Sequence, residues 1–253
     1  MSKSVIQDEF KKYRASLDGF INNFDSQGKL FIKQNRNSLK TFEMDGLVLN
    51  IKSFKIPNPV NQIVYRFFRK GKAQRSFEYA NKLIKLGFGT PQPIAYYEFA
   101  TLFLFKKSYY VSEHLECDLT YRDLTKNLTY PNHEAILRAF TQFTFQLHEK
   151  GINFLDHSPG NTLIKIEGND YKFFLVDLNR MEFQPMDFQA RMKNFERLAT
   201  HKSMVEVMSD EYAKLYGKPY EEVFNLMWKN TEDFQLKFHR KKRLKKKLKF
   251  WKV

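Results

Sequence analysis

The 253-residue sequence contains one cysteine, Cys117. A lone thiol forms no internal disulfide and supplies no cysteine cluster for zinc, which points to a reducing compartment. Ten glycines and eight prolines are too few for a collagen-like, elastic or low-complexity chain. No run of 18 apolar residues occurs, and the longest aromatic-rich stretch, Tyr96 to Phe105, is broken by Glu98 and Thr101. No segment therefore reads as a membrane span. The N-terminus, MSKSVIQDEFKKYRASLDGF, has neither an unbroken apolar stretch nor a small-residue cleavage site, so the expectation is a chain that stays in the cytoplasm. Repeats of 20 to 50 residues are not evident. Acidic residues are missing altogether from residues 237 to 253.

What is present is aromatic and basic. Hydrophobic residues make up 42% of the chain, including 26 Phe and 13 Tyr, enough for an aromatic core in one or two domains. The formal charge is +15, but the last 17 residues, KFHRKKRLKKKLKFWKV, hold 10 of the 43 basic side chains. The rest carries 33 basic against 28 acidic residues, a net of +5. The body is thus a mildly basic globule with a strongly basic tail.

Phe10, Tyr13, Leu17, Ile21 and Phe24 recur at three- and four-residue spacing behind Val5, which predicts an amphipathic helix over 5–24. Three short β-prone runs follow, 28–32, 39–44 and 47–54, the last two joined by Asp45-Gly46, a hairpin-turn signal. A helical pattern runs from Pro59 to about Gly87, then two strands near 94–99 and 102–112, a helix over 131–150, an irregular loop over 151–161, and a hairpin of 162–166 and 172–176. The remainder, from Asp187, reads as helical. The order predicts an α+β fold with two lobes, a β-sheet lobe followed by a mostly helical one, and a cleft between them. The expected divisions are a helical extension over 1–27, a sheet lobe over 28–115, a helical lobe over 116–236, and the tail.

The loop Asp156-His157-Ser158-Pro159-Gly160-Asn161 precedes the second hairpin, which is followed by Val176-Asp177-Leu178-Asn179. A hairpin returns the chain to its starting end, so Asn161 at its entrance and Asp177 at its exit are expected side by side, with Asp156 on the adjacent turn. Three oxygen-bearing side chains of this kind suit a magnesium ion that also carries phosphate oxygens and water. Capping and turn roles for the same residues are the competing reading. A helix before the loop, a hairpin after it and an apolar-Asp step at its exit match the elements of kinase-like phosphotransferases. Lys52, flanked by apolar residues on the third β-prone run, and Glu78, in the middle of the next helix, fit the lysine and glutamate that anchor ATP phosphates in such enzymes.

The stretches Gly71 to Glu78, Gly87 to Pro91, Leu147 to Ile152, Asp156 to Asn161 and Val176 to Arg180 resemble the Kdo/WaaP lipopolysaccharide kinases, over roughly residues 28 to 200. The resemblance implies a protein-kinase-like fold and, in a Gram-negative bacterium, transfer of the γ-phosphate of ATP to an inner-core sugar of lipopolysaccharide, Kdo ahead of heptose. It makes Asp156 the catalytic base and Asn161 and Asp177 the Mg2+ ligands, and it assigns Lys52 and Glu78 to the ATP phosphates. Glu113 and Leu115, after the fifth β-prone run, fall where kinase-like proteins bind adenine through backbone groups. Arg180 and His157 border the expected acceptor pocket, where an arginine suits the carboxylate of Kdo or the phosphates of lipid A. Arg191 reads as a surface residue on a solvated helix.

The departures are specific. Phe154-Leu155 stand where protein kinases carry His-Arg, and Asn179 replaces the Gly of Asp-Phe-Gly, so a regulated protein kinase is disfavoured. No glycine-rich loop is present; the turn Asn35-Arg36-Asn37-Ser38 is expected to cover the phosphates instead. The histidines show no close metal-ligand spacing.

The tail interleaves Leu244, Leu248, Phe250 and Trp251 with its basic residues. It reads first as a basic amphipathic helix on anionic lipid, second as a solvated charge run, and last as a nucleic-acid contact. A lipid-anchored acceptor such as Kdo-lipid A agrees with the first, and the implied location is the cytoplasmic face of the inner membrane. The alternatives are a small-molecule or protein kinase of the same fold, and a pseudokinase adaptor binding nucleic acid through the tail.

Overall fold

The computed structural model describes residues 2–33, 37–168 and 170–250, with the side chains of 32, 33 and 246–250 left aside. The chain divides into two compact units, one of residues 1–116 and 176–179, the other of 117–175 and 180–253.

The first unit is built on a six-stranded antiparallel sheet. Its elements are β1 (Ser2–Ile6), α1 (Arg14–Asn22), β2 (Lys29–Lys33), β3 (Asn37–Met44), β4 (Leu47–Phe54), α2 (Pro59–Phe67), α3 (Lys72–Lys85), β5 (Pro93–Ala100) and β6 (Phe105–Glu113). The strand order is β1-β5-β6-β4-β3-β2. Alternation along β4 sends Leu49 and Ile51 to one face, where Leu17, Ile21 and Phe24 in and after α1 join them with Phe42, Ile94 and Val111. Phe54 points to the other face and packs with Tyr96 of β5 and with Ala73 and Phe77 of α3. Lys52 has the parity of Phe54, and its ammonium lies 5.4 Å from the Phe54 ring centroid. The β3–β4 turn is the expected tight one: Asp45 and Gly46 take φ of 47° and 77°, the paired left-handed geometry that matches strand twist.

The helix expected over 5–24 is not continuous. Residues 2–6 form β1, paired with β5 from Ser2↔Phe99 to Ile6↔Ala95, a 3-10 turn spans Asp8–Tyr13, and only Arg14–Asn22 is α-helical. The open edge of β5 is about ninety residues away in the chain, and pairing at that distance overrides the local spacing. The helical pattern after Pro59 is likewise two helices, parted by Phe68–Gly71. The turn expected to cover phosphates includes Asn35 and Arg36, which lie outside the described residues.

The second unit comprises β7 (Leu119–Thr120), α4 (Tyr121–Lys126), α5 (His133–Glu149), β8 (Ile152–Phe154), β9 (Thr162–Glu167), β10 (Asp170–Leu175), β11 (Met181–Phe183), α6 (Phe188–Asn194), α7 (Lys202–Tyr216) and α8 (Tyr220–Phe250). Its core gathers Tyr121, Ile136, Phe140, Phe195, Met208, Tyr212 and Met227. The β9–β10 hairpin runs in register from Asp170↔Glu167 to Leu175↔Thr162. Two three-residue strands, β8 and β11, pair from Met181↔Phe154 to Phe183↔Ile152; β8 lies in the loop read as irregular, and β11 between the expected hairpin and the helices expected from Asp187. Gly151, which leads into β8, has φ of 65°, and a Cβ there would sit 2.8 Å from the Gln184 carbonyl oxygen. The basic tail is not separate from the preceding segment, since α8 runs unbroken to Phe250.

Candidate active site

In the first unit, the Lys52 ammonium lies 2.7 Å from Asp177 Oδ1, with the two side chains only 19% and 33% exposed. β4 places Lys52, register-matched to Leu39 and Tyr110. Asp177 has φ of 59°, a left-handed conformation that Asp tolerates better than most residues and that clusters at functional sites. Asn179 donates Nδ2 to the same Oδ1 at 2.6 Å, so the residue in the Gly position of Asp-Phe-Gly orients the carboxylate.

Glu78 does not meet Lys52. Both of its oxygens accept from Lys70 Nζ, at 2.9 and 2.8 Å, and Oε1 also accepts from Gln74. Burial raises the Glu78 pKa, but the bonds from Lys70 and Gln74 outweigh it and hold the carboxyl below its ordinary value. Lys70 lies between α2 and α3, eight residues before Glu78. At the end of β6, the amides of Glu113 and His114 donate to Gln92 and Val48 carbonyls, and Leu115 is half-buried.

In the second unit, Asp156 stands on the loop between β8 and β9. Its Oδ1 accepts from Arg197 Nη1 at 2.9 Å and from Arg180 Nη1 at 3.2 Å. Asn161 donates Nδ2 to the Asp156 carbonyl at 2.9 Å, which ties the two ends of the five-residue step together. The loop is further fixed by Leu155 N–H to the Arg180 carbonyl and His157 N–H to the Phe154 carbonyl. The Arg122 guanidinium covers Gly160, where a Cβ would lie 2.4 Å from its Nη2.

His157, expected at the border of the acceptor pocket, is instead a buried residue. It is 1% exposed, and its Nδ1 lies 3.0 Å from Asn194 Oδ1. The same oxygen lies 3.2 Å from His148 Nε2, and Asn194 Nδ2 donates to Asn153 Oδ1 and the Phe154 carbonyl. Since a carbonyl oxygen only accepts, both histidines must present N–H to it. Burial pushes the His157 pKa down to about 4 and the His148 pKa to about 3. Arg191 also departs from the solvated reading: it pairs with Glu149 at 2.5 Å, donates to the Met186 carbonyl and lies 5.0 Å from the Tyr216 ring centroid.

Asn194 and Arg197 were not legible as site residues. Each sits some forty residues from its partner in the chain, with no spacing that marks it. Asn161 uses its amide nitrogen internally, which presents its Oδ1 as an acceptor, and both recorded contacts of Asp177 use Oδ1. These are hard oxygen donors of the kind magnesium takes. Among the described residues no group of three or more His, Cys, Asp or Glu side chains gathers as a metal cluster, and no helix is long and apolar enough to cross a membrane.

The family model described as "Lipopolysaccharide kinase (Kdo/WaaP) family" matches residues 59–218, more than half of the chain. Among solved structures, "WaaP in complex with acyl carrier protein" aligns with a TM-score of 0.65 at 16% identity, covering 94% of this chain and 98% of that one. A MAP kinase from Leishmania major, LmaMPK10, aligns at 17% identity over 84% of this chain and 64% of that one, with a TM-score of 0.45. No curated protein sequence matches the chain.

Proposed function

The chain belongs to the lipopolysaccharide kinase (Kdo/WaaP) family, phosphotransferases that use ATP on sugar hydroxyl groups, and on that premise we propose that its acceptor is the Kdo of Kdo-lipid A rather than a heptose. The contact that carries the nucleotide half of the reading is the 2.7 Å pair between Lys52 and Asp177, residues 125 apart in the chain. A lysine and an aspartate held together in this way make a phosphate-binding cation and an adjacent hard oxygen. Support for an acidic acceptor comes from Asp156, whose carboxylate holds two guanidiniums. We assign Arg180 and Arg197 to the carboxylate of Kdo, a group heptose lacks and one that guanidinium forks bind in bidentate fashion.

In the reaction, Asp156 orients the acceptor hydroxyl and accepts its proton as the oxygen attacks the γ-phosphorus. The bond from that phosphorus to the bridging β-phosphate oxygen breaks, and ADP leaves. Lys52 offsets charge on the phosphates through its ammonium. Asp177 and Asn161 each carry a hard oxygen that suits Mg2+, which would neutralise phosphate charge when bound. Adenine is assigned to the backbone of Glu113 to Leu115. Glu78 is left out of this set, because Lys70 and Gln74 hold its carboxylate.

The tail reading also stands as part of the proposal. Leu236, Phe238 and Leu244 of α8 are 67%, 54% and 52% exposed among Lys237, Arg240, Lys241, Lys242, Arg243 and Lys245. A basic helix of that composition suits anionic lipid, and on that ground we assign the enzyme to the cytoplasmic face of the inner membrane, where a lipid-anchored acceptor is reached.

Calorimetric titration with Mg-ATP tests the nucleotide half. Lys52→Met should weaken binding about tenfold or more, the loss of a charge-assisted phosphate contact, while Glu78→Gln should stay within about threefold. Equal loss in both variants would return Glu78 to the phosphate site and refute the assignment.

A further inference from the structure

Helix α2 turns an apolar stripe outward. Val64 and Tyr65 are half-buried, with the Tyr65 ring 5.8 Å from that of Phe105, but Val60, Ile63 and Phe67, at three- and four-residue spacing, are 71%, 45% and 54% exposed. Gln62, off that stripe, is 8% exposed and donates Nε2 to the Pro57 carbonyl at 2.9 Å. A helix serving only the core would turn the stripe inward. Phe68, just beyond the helix, is 81% exposed, and the β5–β6 turn adds Leu102 and Phe103 at 59% and 64%. Arg66 Nε donates to the Leu102 carbonyl at 3.2 Å and so fastens that turn beside the helix. The result is one projecting apolar patch, far beyond the isolated apolar residues normal on a surface.

Its surroundings are predominantly basic. From Lys55 to Phe77 there are six basic residues, Lys55, Arg66, Arg69, Lys70, Lys72 and Arg75, and no acidic one; of these Arg75 is buried. Residues 101–112 add Lys106, while Lys107 pairs with Asp25. The nearest carboxylates are Glu78, which pairs with Lys70, and the half-buried Glu98. A recess of about 430 Å3 beside the patch is walled by Lys3, Arg66, Arg69, Lys70 and Glu98, room enough for a phosphate headgroup.

We propose that this face docks on an anionic phospholipid bilayer, with Phe68, Phe103 and Leu102 entering the interfacial layer and the basic residues meeting lipid phosphates. It is a contact separate from the basic end of α8. Projecting aromatic tips need no complementary groove in a fluid layer, and the excess of positive charge around them matches its negative surface. A second copy of this chain would instead set cation against cation.

The test is partition of the full chain onto vesicles of phosphatidylcholine containing about 30% phosphatidylglycerol, an anionic surface of the kind basic segments bind. Because both phenylalanines are exposed, Phe68→Ser with Phe103→Ser should leave the unfolding temperature unchanged and weaken partition about tenfold, the loss of two half-inserted rings. Replacing Lys241, Lys242, Arg243 and Lys245 by Gln should weaken partition by a further factor that multiplies the first. Phe103→Trp should add fluorescence that brominated lipid quenches, above the background of Trp228 and Trp251. Unchanged partition in the double serine variant, or added fluorescence in Phe103→Trp that brominated lipid leaves alone, overturns the proposal. A dimer in lipid-free solution that the serine variant dissolves, with vesicle binding intact, assigns the patch to self-association instead.

Discussion

Acidification should unfold this protein through two buried histidines. His148 and His157 share Asn194 Oδ1 as acceptor, and His148 Nδ1 lies 2.9 Å from the Tyr212 hydroxyl, so each ring is held as a neutral tautomer. The Nε2 of His157 is buried without a partner among the described residues, and protonating it would bury a bare charge. The folded pKa values, about 3 and about 4, lie below the ordinary 6.5. A depressed folded pKa means that the unfolded state binds more protons, so the stability is fully present above pH 6.5 and is lost as pH falls toward the folded values. With the folded rings still neutral at pH 5, each histidine forfeits about 2 kcal/mol between pH 7.5 and 5, about 4 kcal/mol together. Urea unfolding at half-unit pH steps reads this directly, and the matching fall in unfolding temperature is about 10 °C. His157→Gln, whatever its own cost, should halve the slope to about 2 kcal/mol over the same window. A stability that is flat from pH 7.5 to 5, or a slope that His157→Gln leaves whole, would refute the argument.

Arg197→Gln should raise the KM for a Kdo-lipid A acceptor by about 10- to 100-fold, the worth of a hydrogen bond to a charged group, and leave the KM for ATP alone; steady-state kinetics with each substrate varied checks the split. Gly151→Ala should cost about 1–3 kcal/mol in chemical denaturation, since it places a Cβ on a positive-φ residue against the Gln184 carbonyl. An unchanged midpoint would mean that the backbone beside Gly151 and Gln184 relaxes freely.

The elements that local pattern dictates were legible in the sequence. The β3–β4 turn was announced by Asp45-Gly46, α5 by apolar residues every three or four positions, and the β9–β10 hairpin by two β-prone runs around Gly168. What escaped depends on distance. β1 exists because β5 offers an open edge, and β8 and β11 are three residues each, too short to leave a pattern. The same division runs through the candidate site. Asp156, Asn161 and Asp177 stand out because the fold fixes their spacing along the chain. Arg197 and Asn194 do not, because nothing in the local sequence says that an arginine in the turn after α6 will meet a carboxylate forty residues back. His157 misled for a related reason: a polar residue in a Pro-Gly loop reads as exposed, yet this one folds under Phe140 and Phe154. Glu78 misled because Lys70, which precedes α3, is closer to it than the sheet lysine.

The measurement that bears most directly on the central claim is phosphate transfer from labelled ATP, with magnesium, to Kdo-lipid A in detergent, comparing the native chain with Asp156→Asn. The arginines keep an oxygen to bind in the variant, and Asp156 is 26% exposed, so the fold should hold. Removing the proton acceptor should cost about 10²- to 10⁴-fold in kcat with ATP binding unchanged. Transfer by the native chain that collapses in the variant is the predicted result; equal turnover by the two would contradict the assignment of Asp156 as the base.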